Sequence, residues 1–390
     1  MPVFRHVIRP EFAHRVIFTR AALNKDNPIL AKTFAAEGGK PAHVLVVVDK
    51  NLLRVRPKLS AEIKTYFAEH SKRAQLVAAP ILVPGGEACK NDWKLVEKLW
   101  TAIERHGLSR QSYILVIGGG AVLDLAGFAA ATAHRGIRLV RLPTTSLSQA
   151  DGGVGVKNGV NYFGKKNWVG AFAVPAAVIN DLDFLKSLPK NAARGGVVEA
   201  FKVGLIRDAR LAKLIEINAS RLARCEEPIF EKVIIASARL HLRHIATGGD
   251  PFEFGAARPL DFGHWVAHKL EQMSNFRLSH GDVVAVGLAL DARYSAACGW
   301  LKPADAARVA QVLTKLGCDT GHGQVNPLVR RLLNKRDARG QFAVLDGLEE
   351  FRQHLGGALT LTLLRAWGRG EETNDIDLAL MRRVIAETMD

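Results

Sequence analysis

Residues Ile114–Asp124 read ILVIGGGAVLD and run on into LAGF. A β-branched, apolar run breaks at three consecutive glycines, Gly118, Gly119 and Gly120, and helix-forming residues resume at once. This is the pattern of a strand–turn–helix junction where backbone approaches a ligand closely, because glycine has no Cβ to obstruct it. The helix start offers free N–H groups and the positive end of a dipole, which suits a phosphate. A nucleotide or dinucleotide is the natural occupant. A purely structural turn is the alternative.

Working outward, strand-like and helix-like segments alternate. His43–Val48 (HVLVVV) reads as a buried strand ending at Asp49 and Asn51, Ala61–His70 as a helix, and Gln75–Val83 as a second strand. PGGE at Pro84–Glu87 precedes a helix bearing Trp93 and Trp100; Tyr113–Ile117 and Gly136–Leu142 are further strands. Such alternation predicts an α/β domain with a doubly wound, Rossmann-like parallel sheet. Ligands of such sheets bind at the carboxyl ends of the strands, where Asp49, Gly118–Gly120 and Pro143-Thr144-Thr145 fall. After Pro189 helix-period segments take over: Gly195–Arg207, Leu211–Arg224, Ile229–Ala246, His264–Ser274, Asp282–Cys298 and Ala304–Leu316. No sustained strand alternation remains, so an all-α domain is expected, with boundaries of 1–190 and 191–390 and a ligand cleft between the two.

At 390 residues, 48% hydrophobic and 24% charged, the chain has the size of two ordinary globular domains. No apolar run is long enough for a membrane span, and the opening MPVFRHVIRPEFAHR lacks a signal-peptide core. Cys89, Cys225, Cys298 and Cys318 lie far apart without a CxxC pair, as in a reduced, cytoplasmic protein. The formal charge of +16 invites a nucleic acid, yet the 54 Lys and Arg are dispersed. The densest clusters, Arg239–His244 and Leu333–Arg339, lack interleaved aromatics for stacking. A phosphorylated small molecule accounts for the charge better than nucleic acid does.

Three groups in the helical half carry candidate chemistry. Glu199 shares a helix with Lys202 one turn later. His264 and His268, four apart, share a helix face with Glu271 beyond them, and His280 opens the next helix. Histidine nitrogen and carboxylate oxygen are ordinary zinc ligands, and a catalytic site uses three of them with one position open. Spacing alone would pair His264 with His268 on a metal, although a single satisfied core histidine is the commoner reading. Asp151–Asn167 (DGGVGVKNGVNYFGKKN) adds a glycine-rich stretch of cationic and amide donors suited to phosphate and polyol, or a solvated surface loop.

In order along the chain, these motifs resemble the 3-dehydroquinate synthase family of sugar phosphate cyclases. The match includes GGExxK at Gly85–Lys90, GGGxxxDLAGFxAA at Gly118–Ala130, RG at Arg135-Gly136, PTTxL at Pro143–Leu147 and DxxxGxK at Asp151–Lys157. It continues with GKKN at Gly164–Asn167, FLxSLP at Phe184–Pro189, GxxExxKxGxI at Gly196–Ile206, DxxE at Asp250–Glu253, FGHxxxH at Phe262–His268 and HG at His280-Gly281. The resemblance implies that Glu199, His264 and His280 hold a divalent metal, normally zinc with cobalt as a substitute. It moves His268 to a role near the phosphate and proton transfer. It places NAD on Asp49, Asn51, Glu87, Lys90, Gly118–Gly120, Asp124, Thr144 and Thr145. Asp151, Lys157, Lys166, Asn167 and Lys202 would line the substrate, and Arg135 would reach a neighbouring subunit's site in a homodimer. In the family, NAD takes a hydride from a secondary alcohol, phosphate is eliminated, the hydride is returned, and an intramolecular aldol step closes a carbocycle.

The chain departs from true dehydroquinate synthases where these grip a substrate carboxylate. Asp261 stands where asparagine is usual, Ala257 matches an arginine with Arg258 one place off, and Arg243 replaces a lysine. GHTxGH has become GHWVAH, adding Trp265. An acidic group there would repel a carboxylate. The expectation is a cyclase similar to the 2-epi-5-epi-valiolone synthases, acting on sedoheptulose 7-phosphate, with Asp261, Arg243 and Arg258 facing the substrate. The alternatives are 3-dehydroquinate synthase itself, with Asp261 paired to Arg258 or Arg243, and a polyol dehydrogenase of the glycerol dehydrogenase type.

Overall fold

The computed structural model describes residues 2–35, 39–247, 259–318, 326–355 and 357–388. Contacts divide the chain into two compact units, 1–143 with 156–181, and 144–155 with 182–390.

The first unit holds β1 (Val16–Thr19), β2 (Ala42–Asp49), α1 (Leu52–Val55), α2 (Leu59–Glu69), β3 (Ala74–Leu76), β4 (Ile81–Val83), α3 (Trp93–Arg105), β5 (Tyr113–Gly118), α4 (Gly120–Thr132), β6 (Arg138–Pro143), β7 (Lys157–Tyr162), β8 (Lys165–Phe172) and β9 (Ala177–Asp181). Seven strands form a parallel sheet in the order β1-β9-β6-β5-β2-β3, with β4 also on β2. Val44–Val48 and Ile114–Ile117 are apolar without interruption because both faces of their strands are covered. Leu45, Val47, Ile114 and Val116 pack with Val96 and Leu99 of α3 and Val122 and Leu125 of α4. An aromatic group of Phe34, Phe67 and Tyr113 packs elsewhere in the unit, with Phe34 edge-on to Tyr113 at 5.2 Å.

The single strand expected over Gln75–Val83 is two short ones. Both pair with β2, and Pro80, which has no N–H to give a ladder, lies between them. The stretch read as a glycine-rich loop becomes a helical turn, 148–152, followed by the antiparallel hairpin β7–β8. Phe163 (φ 51°) and Gly164 (φ 70°) make its two-residue turn, both left-handed, as the twist of a tight hairpin requires.

The second unit is helical: α5 (Lys190–Arg207), α6 (Ala209–Ala223), α7 (Ile229–Thr247), α8 (His264–Met273), α9 (His280–Ala297), α10 (Pro303–Lys315), α11 (Pro327–Asn334), α12 (Asp346–Leu355) and α13 (Leu378–Glu387). It also carries a hairpin absent from the sequence expectation, β10 (Leu361–Ala366) with β11 (Arg369–Thr373). Its alternation is masked because Leu361, Leu363 and Leu364 are all buried. The four cysteines are free. Among the described residues no helix is long and apolar enough to cross a membrane.

Candidate functional site

Two polar constellations stand out, one in each unit. In the first, the chain ends of β2 and β5 meet at Asp49 and the glycine turn. Asp49 Oδ1 accepts from Asn51 N at 2.9 Å. Burial pushes the Asp49 carboxyl upward, and hydrogen bonds from the amides of Asn51 and Gly119 counter that push. Gly119 caps α4 with no side chain over the helix start, and no atom lies within 4 Å of where a Cβ of Gly120 would be. The Gly119 amide is thus turned to Asp49, and the backbone at Gly120 is open on its Cβ side, at a helix N-terminus of the kind that suits a phosphate.

Beside it lies a network that joins residues the motifs assigned to two different ligands. Lys90 is buried, 2.7 Å from Asp124 Oδ2 and 3.7 Å from Glu87 Oε1, and donates to Asn167 Oδ1. Burial opposes the Lys90 charge, but Asp124 and Glu87 outweigh it and raise its pKa. Lys166 Nζ lies 4.0 Å from Glu87 Oε2. Asn161, which the sequence reading did not single out, ties the network together: its Nδ2 donates to Glu87 Oε1 at 3.0 Å and its Oδ1 accepts from Asn167 N at 2.9 Å. Lys157 sits exposed at the start of β7, and Arg135 is exposed in the turn after α4.

In the second unit, Glu199 Oε1 lies 3.2 Å from His280 Nε2 and 3.6 Å from His264 Nε2. Ligand atoms of all three residues fall within 4.8 Å of one another. The other ring nitrogen of each histidine is held: His264 Nδ1 donates to Phe262 O and His280 Nδ1 donates to Glu271 Oε1, both at 3.1 Å. Those acceptors place the proton on Nδ1 and turn both Nε2 lone pairs toward the Glu199 carboxylate. Three electron-rich atoms facing one another suit a cation, and two imidazoles with one carboxylate suit a transition metal or zinc. Glu271 is thus a supporting residue that its helix spacing from His268 only hinted at. His268 does not join this triangle, against the spacing-based pairing; its ring centroid lies 5.3 Å from that of His264 and 6.2 Å from that of His280.

Three helices converge to make the triangle, and their backbones touch. A Cβ added to Gly281 of α9 would lie 2.6 Å from Gly195 Cα on α5. One added to Gly287 would lie 1.9 Å from Gly263 O, in the turn that enters α8. Ser279 caps α9 by accepting from Asp282 N at 3.3 Å, which puts His280 on the first helical residue. Gly263, left-handed at φ 77° and without a side-chain cap, stands directly before His264, the first residue of α8.

Lys202 Nζ lies 2.5 Å from Glu199 Oε2 and 3.9 Å from Asp151 Oδ2. Burial works against the Glu199 charge, yet Lys202 beside it holds the carboxyl well below the usual range. Asp151 also overcomes burial: His241, at 2.5 Å between Nδ1 and Oδ1, and Lys202 draw it down to about 2. His241 was visible in sequence only as part of a basic cluster. Asp261 is half-buried, and its charge helps raise the pKa of the buried Lys202, against burial and along with Glu199 and Asp151. Among the described residues Asp261 makes no ion pair with Arg243, which is exposed on α7. Arg258 and the DxxE motif lie outside the described residues. Thr144 is buried in the loop after β6, and Thr145 Oγ1 lies 2.8 Å from Ser148 Oγ.

Asp291 on α9 is also buried. It accepts from Trp265 Nε1 at 2.9 Å and from Gly263 N at 2.8 Å, and burial pushes its carboxyl up to about 7. A raised acid stabilises the fold fully below the free carboxyl's value, and that contribution is lost as pH rises through about 7. Asp291→Asn is expected to remove this dependence, so that between pH 5 and pH 8 the variant loses about 2–3 kcal/mol less stability than the parent in denaturant melts. Equal slopes would show that Asp291 ionises normally.

Residues 80–195 match the family model of the 3-dehydroquinate synthase N-terminal domain, and residues 196–337 that of the C-terminal domain. The 3-dehydroquinate synthase of Symbiobacterium thermophilum is 39% identical over 257 residues, spanning 64% of this chain and 71% of that protein. Among solved structures, the 2-epi-5-epi-valiolone synthase of Streptomyces hygroscopicus subsp. jinggangensis, with NAD+ and Zn2+ bound, gives a TM-score of 0.84 at 24% identity and covers 99% of each chain. A 2-deoxy-scyllo-inosose synthase complexed with carbaglucose-6-phosphate, NAD+ and Co2+ gives 0.70 at 20% identity, covering 95% of this chain and 96% of that one. At these identities the two structural likenesses speak for the fold.

Proposed function

Since the chain belongs to the 3-dehydroquinate synthase family, we propose that it is a sugar phosphate cyclase working with NAD and a divalent metal, zinc or cobalt. Its substrate is a seven-carbon ketose 7-phosphate, converted to a carbocycle with elimination of phosphate. When bound, NAD supplies a hydride acceptor that later returns the hydride, and the metal supplies a Lewis acid for the reacting alcohol.

The chain's own residues position and stabilise. Glu199, His264 and His280 hold the metal. Lys202, kept protonated by Glu199 and Asp151, donates to an oxygen that gains negative charge, and Asp151 orients a neighbouring hydroxyl. His268, packed on both metal-site imidazoles, serves proton transfer near the phosphate. Asp49, Asn51, Glu87, Lys90, Gly118–Gly120, Asp124, Thr144 and Thr145 serve NAD, while Lys157, Lys166 and Asn167 serve the substrate. Arg135 serves the neighbouring subunit of a homodimer. Left-handed backbone at both His134 (φ 51°) and Arg135 (φ 64°) supports a special role for this turn, since such strain costs on the order of 1 kcal/mol per residue.

The substrate assignment is supported by the acidic Asp261, whose charge adds to those of Glu199 and Asp151 in raising the pKa of Lys202, the site's central cation. A carboxylate on the substrate would meet that charge, whereas the hydroxymethyl ketone of sedoheptulose 7-phosphate would not. The name of the sequence relative favours the second reading, 3-dehydroquinate synthase. Phosphate release from purified protein with NAD and zinc decides between them. Sedoheptulose 7-phosphate is expected to be preferred over 3-deoxy-D-arabino-heptulosonate 7-phosphate. The reverse preference would establish the second reading, and release from neither, with NADH accumulating on simple polyols, would overturn both.

A further inference from the structure

The tryptophan that interrupts the family motif has a partner in the fold. Trp265 directly follows His264, is fully buried, and gives its indole N–H to Asp291 Oδ1. The second oxygen of the same carboxylate takes the N–H of Gly263, the residue directly before His264. One carboxylate therefore grips the chain on both sides of a metal-site histidine. Its own helix, α9, begins with the other metal-site histidine, His280. The lever is short: Gly263 and Gly287 are in backbone contact, so the turn bearing His264 lies directly on α9.

We propose that Asp291 is a positioning residue of the metal centre, fixing the place of His264 relative to His280 through the N–H of Gly263 and the indole of Trp265. The inference rests on the metal-site reading of Glu199, His264 and His280. Both oxygens of Asp291 are taken by Gly263 N and Trp265 Nε1, so its effect passes through the turn, as with other outer-shell partners whose loss costs metal sites about 10-fold or more in affinity.

The test uses the full chain loaded with Co2+. Affinity is measured by chelator competition, geometry by the visible absorption bands of the bound ion, and stability by melting the metal-free protein. Asp291→Asn, which keeps the volume but presents an amide to one of two donors, is expected to weaken Co2+ binding about 10-fold and to change the bands. Trp265→Phe, which removes one of the two bonds, is expected to give a smaller change in the same direction, and it carries the test if the first variant does not fold. A clamp that is merely structural would lower the melting temperature and leave affinity and bands at the parent's values; that result overturns the proposal. Glu199→Gln serves as the reference. If it too retains Co2+ fully, the metal-site reading itself has failed, whereas loss in Glu199→Gln alone removes only the role of Asp291.

Discussion

Glu199→Gln is expected to strip the protein of its metal and to lower phosphate release by about 10³-fold or more, equivalent to at least 4 kcal/mol of lost transition-state stabilisation. Glutamine has nearly the same shape, so the helix should remain intact. What disappears is the negative charge that faces two imidazole lone pairs and neutralises Lys202. The amide would turn an N–H toward Lys202 or a histidine, leaving the buried Lys202 with Asp151 at 3.9 Å as its remaining carboxylate. Metal content after gel filtration and the rate of phosphate release report the two effects separately. Full metal content with unchanged turnover would remove Glu199 from the centre.

Gly287→Ala is expected to have the second large effect, although the residue bears no functional group. Its new methyl would sit 1.9 Å from Gly263 O, closer than any packed carbon and oxygen can be. Side chains cannot relieve this clash, because both sides of the contact are backbone, so α8 must move away from α9. The cost is about 3 kcal/mol or more, and a fall in melting temperature of about 10 °C follows for a unit of this size. Metal retention should fall with it, since His264 enters α8 from that turn. A melting temperature within about 2 °C of the parent's, with metal retained, would show that this contact does not set the spacing.

The α/β half is legible because its signals are local. A continuous β-branched strand, a glycine break and a helix start all fall within Ile114–Asp124, and the structure places β5 and α4 there. The edge strand β1 and its neighbour β9 are short and carry no such signal; their pairing depends on residues about 160 positions apart. The hairpin β7–β8 looked like a polar loop because its buried members include Asn158 and Asn161, whose amides are satisfied by Arg141 and Glu87. The metal triangle lay beyond helical periodicity for a related reason. His264 and His268 share one helix, yet it is His280 on the next helix, not His268, that joins His264 in facing Glu199. Only the motif resemblance pointed that way. The roles of His241 and Asp291 remained invisible, and Glu271 was seen only as a neighbour on the histidine face, since an ordinary histidine or carboxylate in a helix does not announce what lies across the interface.

The glycine contacts at Gly195–Gly281 and Gly263–Gly287 have a consequence for ionic radius. Where side chains separate helices, a rotamer change can widen a cage by some tenths of an ångström. Here the ligand-bearing backbones already touch, so the opening is held by hard contact on those sides and has little room to breathe. Calcium, which takes six to eight oxygens at about 2.3–2.6 Å, would find too few donors held too rigidly. A smaller ion bound at about 2.0–2.1 Å by nitrogen and oxygen would meet a cage of its own size. Discrimination against calcium thus draws on the four glycines as well as on the ligands.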